Sequence, residues 1–100
     1  MTTTDIIKRE TFDCVACWLE SSADGTFDDS PRDWEMMGPD FASIATACGL
    51  SLRLAEWDDE HESALDSAWA EACNAAAIAL EHGADVDDVA KALRAPWVPA

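Results

Sequence analysis

Four cysteines are the first residues in this chain with types and spacing suited to chemistry. Cys14 and Cys17 form a CxxC, while Cys48 and Cys73 each stand alone. A CxxC can supply half of a tetrahedral zinc site or act as a redox pair. Zinc ligands usually come in paired knuckles, however, and the two single cysteines lie on stripes that otherwise hold Ile, Ala and Trp. Free cysteine on such a stripe behaves as a small buried hydrophobe. The sequence therefore predicts core packing for the cysteines and no metal or other cofactor.

A second constellation is the string EWDDEHE from Glu56 to Glu62, which surrounds His61 with carboxylates. A metal site or an acid/base pair would need those groups to converge. On a helix, Glu56, Asp59 and Glu60 point in different directions, so at most Asp58 could meet His61 or Glu62. Acidic residues at a helix start are favoured by the macrodipole alone. The string reads as a dense negative patch with Trp57 beside it. Only one other histidine exists, His82, and it fits a helix C-terminus. No GxSxG, phosphate-cradling glycine loop or HExxH is present, and the chain is read as a non-enzyme.

The elements that must carry these residues are helical. Ile7, Cys14, Val15, Trp18 and Leu19 recur at helical spacing and predict a helix from about Asp5 to Ser21, opposite Arg9, Asp13 and Glu20. Thr3 or Thr4 is placed to cap it. Residues 21–29 contain Gly25 among Ser and Asp and read as a loop. Ser30 before Pro31, with Asp33 three positions on, predicts a capped short helix through Met37, ended by Gly38 and Pro39. Asp40 caps a further helix in which Phe41, Ile44, Ala45 and Cys48 face inward, closed by Gly49. Leu50, Leu52 and Leu54 alternate as in a strand, yet Leu54 and Trp57 fit a helix, which is the favoured reading.

The longest helix is expected over 58–82, with Leu65, Ala68, Trp69, Ala72, Cys73, Ala76, Ala79 and Leu80 on one side and Gly83 after its end. A last helix opens at Asp85 with Asp88 as its reciprocal cap, buries Val86, Val89, Ala90 and Leu93, and stops at Pro96. The expected fold is all-α, a single domain over 1–100 built as a compact bundle of four to five helices. Trp18 and Trp69 are expected in its core.

Composition makes such a core feasible. Apolar residues are 49% of 100 residues, with five Trp and three Phe. One hundred residues suit a single domain. No apolar run approaches the roughly eighteen residues of a membrane span, and 1–10 lacks a signal-peptide pattern, so the expectation is a cytoplasmic protein. Six basic against 21 acidic residues give a net charge of −15. That charge repels phosphate backbones and anionic membranes and attracts basic protein surfaces. Residues 23–63 hold −9 of it, a concentration that solubility alone does not require.

Two stretches, from Ile44 to Trp57 and from Ile78 to Leu93, have the rhythm of a helix-turn-helix. The second helix of one would present Glu56, Asp58 and Asp59 around Arg53, and that of the other Asp85, Asp87 and Asp88. Such surfaces lose the phosphate contacts that supply DNA affinity. Both stretches read as tight helical corners.

In size, helicity and acidity, and in the patches TFDDSPRDWE (Thr26 to Glu35) and EWDDEHE (Glu56 to Glu62), the chain resembles small acidic phage-encoded anti-CRISPR proteins, especially those acting on type I complexes, type I-F among them. The resemblance implies an inhibitor in the bacterial host cytosol that lodges on a basic, nucleic-acid-handling surface without catalysis and blocks target DNA binding. The residues expected at that interface are Asp28, Asp29, Asp33, Trp34, Glu35, Glu56, Trp57, Asp58, Asp59, Glu60 and Glu62, with Trp34 or Trp57 as an apolar anchor among the charges. Two other readings compete. One is a regulatory or scaffold protein acting through helix-mediated dimerisation or protein contact; the other is a small metalloenzyme built on the His61 cluster.

Overall fold

The computed structural model describes residues 3–23, 30–38 and 59–97. These form four α-helices, α1 (Thr3–Ala23), α2 (Pro31–Met37), α3 (Asp59–Glu81) and α4 (Val86–Arg94), with a 3-10 turn at Ala95–Trp97. No strand occurs among the described residues. The expected helix after Asp40 and the choice between strand and helix at Leu50 to Trp57 lie outside them. α1 packs against α3 and α4, α2 packs on α3, and α3 turns back directly into α4.

The two long helices follow from uninterrupted sequence. Neither α1 nor α3 contains Gly or Pro, and α3 holds eight alanines, the best helix former. α1 is two residues longer at each end than its apolar spacing predicts, so Thr3 and Thr4 are its first helical residues and do not cap it from outside. The short α2 follows its local signals closely. Pro31 is its first residue, and the Asp33 carboxylate accepts from the Ser30 backbone N–H and hydroxyl, both at 3.0 Å. Gly38 ends it at φ +83°. At the end of α3, Gly83 takes φ +88°, its N–H donates to Leu80 O and the Ala84 N–H donates to Ala79 O. This is the double bond of a Schellman corner, where a left-handed residue is required. α4 departs from expectation, since the Asp85 side chain makes no capping hydrogen bond and the reciprocal cap from Asp88 is absent. Carboxylates in this first turn still gain from the macrodipole without that bond.

The core is assembled from the predicted faces. Ile7, Val15 and Leu19 of α1, Leu65, Trp69, Ala72, Cys73 and Ala76 of α3, and Val89, Ala90 and Leu93 of α4 are buried. Thr11, which apolar spacing passes over, is also fully buried because its hydroxyl donates to Ile7 O at 2.6 Å. Trp69 is buried as expected, whereas Trp18 is half-buried at the edge of the core; it meets Trp34 edge-on at 5.5 Å between ring centroids and Trp69 edge-on at 5.0 Å. The Trp69 indole N–H donates to the main-chain carbonyl of Trp34 at 2.8 Å. A seven-residue helix has no stability of its own, and this bond with the indole stacking is what seats α2 on α3.

Two arginines lock the periphery. Arg32 of α2 bonds both carboxylate oxygens of Glu81 and the Asn74 amide oxygen on α3. Arg94 of α4 donates to Asp13 at 2.7 Å and Glu20 at 2.8 Å, and to the Cys17 sulfur at 3.3 Å, all on α1.

Two stability measurements check this arrangement. The indole N–H of Trp34 is buried with no hydrogen-bond partner, whereas that of Trp69 is bonded. Urea unfolding should therefore show Trp69→Phe to be more destabilising than Trp34→Phe by about 0.5 to 1.5 kcal/mol, because only the first removes a buried hydrogen bond, the Trp34 carbonyl keeping the Gly38 N–H as its other donor; equal losses would mean the bond contributes nothing. Hydrogen bonds from Arg94 and Arg32 hold Glu20 and Glu81 below the usual carboxylate range. Lowered folded-state values give stability that is present above that range and lost as pH falls through them. Replacing Arg94 with Gln should accordingly lower the neutral-pH urea midpoint more than the midpoint at acid pH.

Candidate functional site

α3 carries the first turn of the acidic surface. Asp59, Glu60 and Glu62 are all exposed there, as the helix-start reading requires. The structure adds Asp66, which sequence inspection left out because it stands alone between Leu65 and Ser67. At 3.6 residues per turn, Asp59, Glu62 and Asp66 fall on one face. α3 contains no Lys or Arg, so none of these charges is offset within its own helix. Among the described residues no Lys or Arg forms an ion pair with them either, because the described arginines in ion pairs are engaged with Glu10, Asp13, Glu20 and Glu81.

A second set of exposed acids, Asp85, Asp87 and Asp88, opens α4. The two sets lie at opposite ends of α3, one at its N-terminus and one just past its C-terminus. Among the described residues no group of three His, Cys, Asp or Glu side chains is placed to hold a metal ion. His61 is half-buried and His82 is exposed, its Nδ1 2.8 Å from Ile78 O at the helix end.

The remaining expected interface residues divide. Asp33 and Glu35 are exposed on α2. The Asp33 carboxyl is held below its usual range by the Ser30 backbone and hydroxyl hydrogen bonds, so it works as a helix cap whatever else it does. Trp34 corrects the expectation. It is 1% exposed, enclosed by Trp18 and Trp69, and is not available as an apolar anchor for a partner. Its charged neighbours Asp33 and Glu35 misled the reading, since adjacent helical residues point in different directions. The exposed apolar residues of α2 are instead Met36, at 89%, and Met37, at 64%. Asp28, Asp29, Glu56, Trp57 and Asp58 lie outside the described residues.

The cysteines separate by environment. Cys73 is buried, and burial pushes its thiol up to about 12, which keeps it protonated and inert at neutral pH. Cys14 is half-buried against the core and Cys17 is exposed beside Arg94. Cys14 and Cys17, neighbours one turn apart on α1, thus differ in exposure. Cys48 lies outside the described residues.

Alkylation by iodoacetamide at neutral pH should modify Cys17 readily and Cys73 only when the protein is unfolded, as read by mass spectrometry of the digested protein. Equal labelling of both in the native state would contradict the packing of α3. Helical circular dichroism should be unchanged by chelator, and a loss of signal would favour the zinc reading.

Comparison with protein-family models, curated proteins and solved structures returned no match. The functional reading rests on the chemistry of the acidic surface.

Proposed function

We propose that this chain is a non-enzymatic acidic inhibitor that occupies a basic, nucleic-acid-handling protein surface in the bacterial cytosol. In its sharpest form the target is a type I CRISPR surveillance complex, and the effect is to block binding of target DNA. No helix among the described residues is long and apolar enough to cross a membrane, and the charge of −15 disfavours direct contact with nucleic acid or anionic lipid.

The observation that carries this reading is the unneutralised start of α3. Asp59, Glu62 and Asp66 place three carboxylates on one face along about 10 Å of helix axis, and Glu60 adds a fourth charge on the adjoining face. The row carries about one charge per 5 Å, sparser than the one phosphate per ~3.4 Å of a DNA strand. A surface that binds phosphates through Lys and Arg would still meet a row of negative charge here. Among the described residues these carboxylates have no ion-pair partner, so a basic surface can meet them without breaking any ion pair described there. Attraction at a distance would raise the association rate, and desolvated pairs at contact would lower dissociation.

The exposed Met36 and Met37 favour a second reading, a regulatory protein that works through an apolar helix contact. Methionine pairs adapt to partner surfaces, and such binding would be insensitive to salt.

Replacing Asp58, Asp59, Glu60 and Glu62 by Ala tests the leading reading. Folding should change little, since each exposed carboxylate at a helix start contributes about 0.3 to 1 kcal/mol and mutual repulsion offsets part of it. Binding to a purified type I complex should weaken by about 2 kcal/mol or more. Retained binding by the folded variant at both low and moderate salt would make the acidity a solubility feature, and loss on replacing Met36 and Met37 by Ser would then support the second reading.

A further inference from the structure

The corner between α3 and α4 leaves a groove of ≈ 270 Å³ that α1 closes on one side with Phe12. Its floor is Val89 and Leu93, both nearly fully buried. Its rim is Ala75, Ala84 and Ala92, which are exposed. Three small apolar residues at exposed positions of so acidic a protein keep the groove open, where longer side chains would fold over it. The volume lies at or below the ~300 Å³ lower limit of sites for drug-sized ligands and cofactors. It suits a single bulky apolar side chain.

One charged residue lines the groove, Asp88. It is exposed, does not serve as the cap of α4, and forms no hydrogen bond or ion pair with another described residue. Asp85 and Asp87 stand in the same turn, also exposed. The site therefore presents an apolar slot with negative charge at its lip, and its complement is an apolar side chain with Lys or Arg one helical turn away.

Among the described residues, a second copy of this chain does not meet that description. It brings another −15 of charge, and the exposed large apolar residues described on it are Met36, Met37 and Ile78. The cation one turn from Met36 is Arg32, already engaged with Glu81. We propose that the groove receives one bulky apolar side chain from a basic helical segment of the partner protein, an inference that rests on the reading of that partner as basic.

The test uses the full chain and three short helical peptides. The first is built of Ala, Gln and Lys with a single central Leu. The second has that Leu replaced by Ala, and the third has every Lys replaced by Glu. Titrations followed by nuclear magnetic resonance should show the Leu peptide binding about tenfold more tightly than its Ala counterpart, with shifts at Phe12, Val89 and Leu93, and no binding of the Glu peptide. Ala75→Arg and Ala92→Arg, both at exposed helix positions, should each remove the tenfold difference while leaving circular dichroism unchanged. Asp88→Asn should weaken both Lys peptides and preserve their ratio. Equal binding of the Leu and Ala peptides would overturn the proposal, as would a difference that survives both Arg variants or a self-association that Ala92→Arg abolishes. Replacing Asp59, Glu60 and Glu62 should leave the Leu-dependent ratio intact. Failure of the groove is thereby separated from failure of the acidic face.

Discussion

A cluster of three tryptophans has to hold together a chain whose charge works against compaction. Net charge far from zero opposes the folded state through self-repulsion, and 21 acidic residues stand against six basic ones. The buried Trp34 and Trp69 and the half-buried Trp18 answer this with edge-to-face contacts, worth about 0.5 to 1.5 kcal/mol per pair beyond area burial. The indole bond from Trp69 to the Trp34 carbonyl gives the cluster direction. It fixes a helix too short to persist alone, and with it the exposed Met36 and Met37.

Two of the six basic residues are used for the same purpose. Arg32 bridges α2 to α3, and Arg94 bridges α4 to α1. In both cases the arginine's planar fork reaches two partners across helices, which lysine would do less well. These placements leave the beginning of α3 and the beginning of α4 negative and uncompensated within the described residues. Among the described residues, some carboxylates thus tie helices together and others face outward. The second group is the one open to a partner.

Much of this was legible in the sequence, for identifiable reasons. Ser30, Pro31, Asp33 and Gly38 bound α2 through interactions within a few residues, and Gly83 closes α3 in the same local way. The buried faces of α1, α3 and α4 followed from helical spacing. Thr11 escaped because a hydroxyl bonded to its own helix can be buried among apolar neighbours. Trp34 was placed outside because the letters beside it are acidic, although neighbours in sequence are not neighbours on a helix face. The Arg94 cluster joins residues more than seventy positions apart, and the groove depends on how three helices meet. Neither leaves a signature in one dimension. Of the expected interface, the exposure of Asp59, Glu60 and Glu62 was foreseen, while the isolation of these residues from the fold's own arginines required the structure.

The central claim is that the outward acidity competes with nucleic acid for a basic surface. Its most direct measurement is a competition experiment in which a type I surveillance complex is equilibrated with labelled target DNA and increasing amounts of this protein, at low and at moderate salt. The account predicts stoichiometric displacement of the DNA, with an affinity for the complex that falls steeply as salt rises. Binding that leaves the DNA in place, or an affinity indifferent to salt, would contradict it.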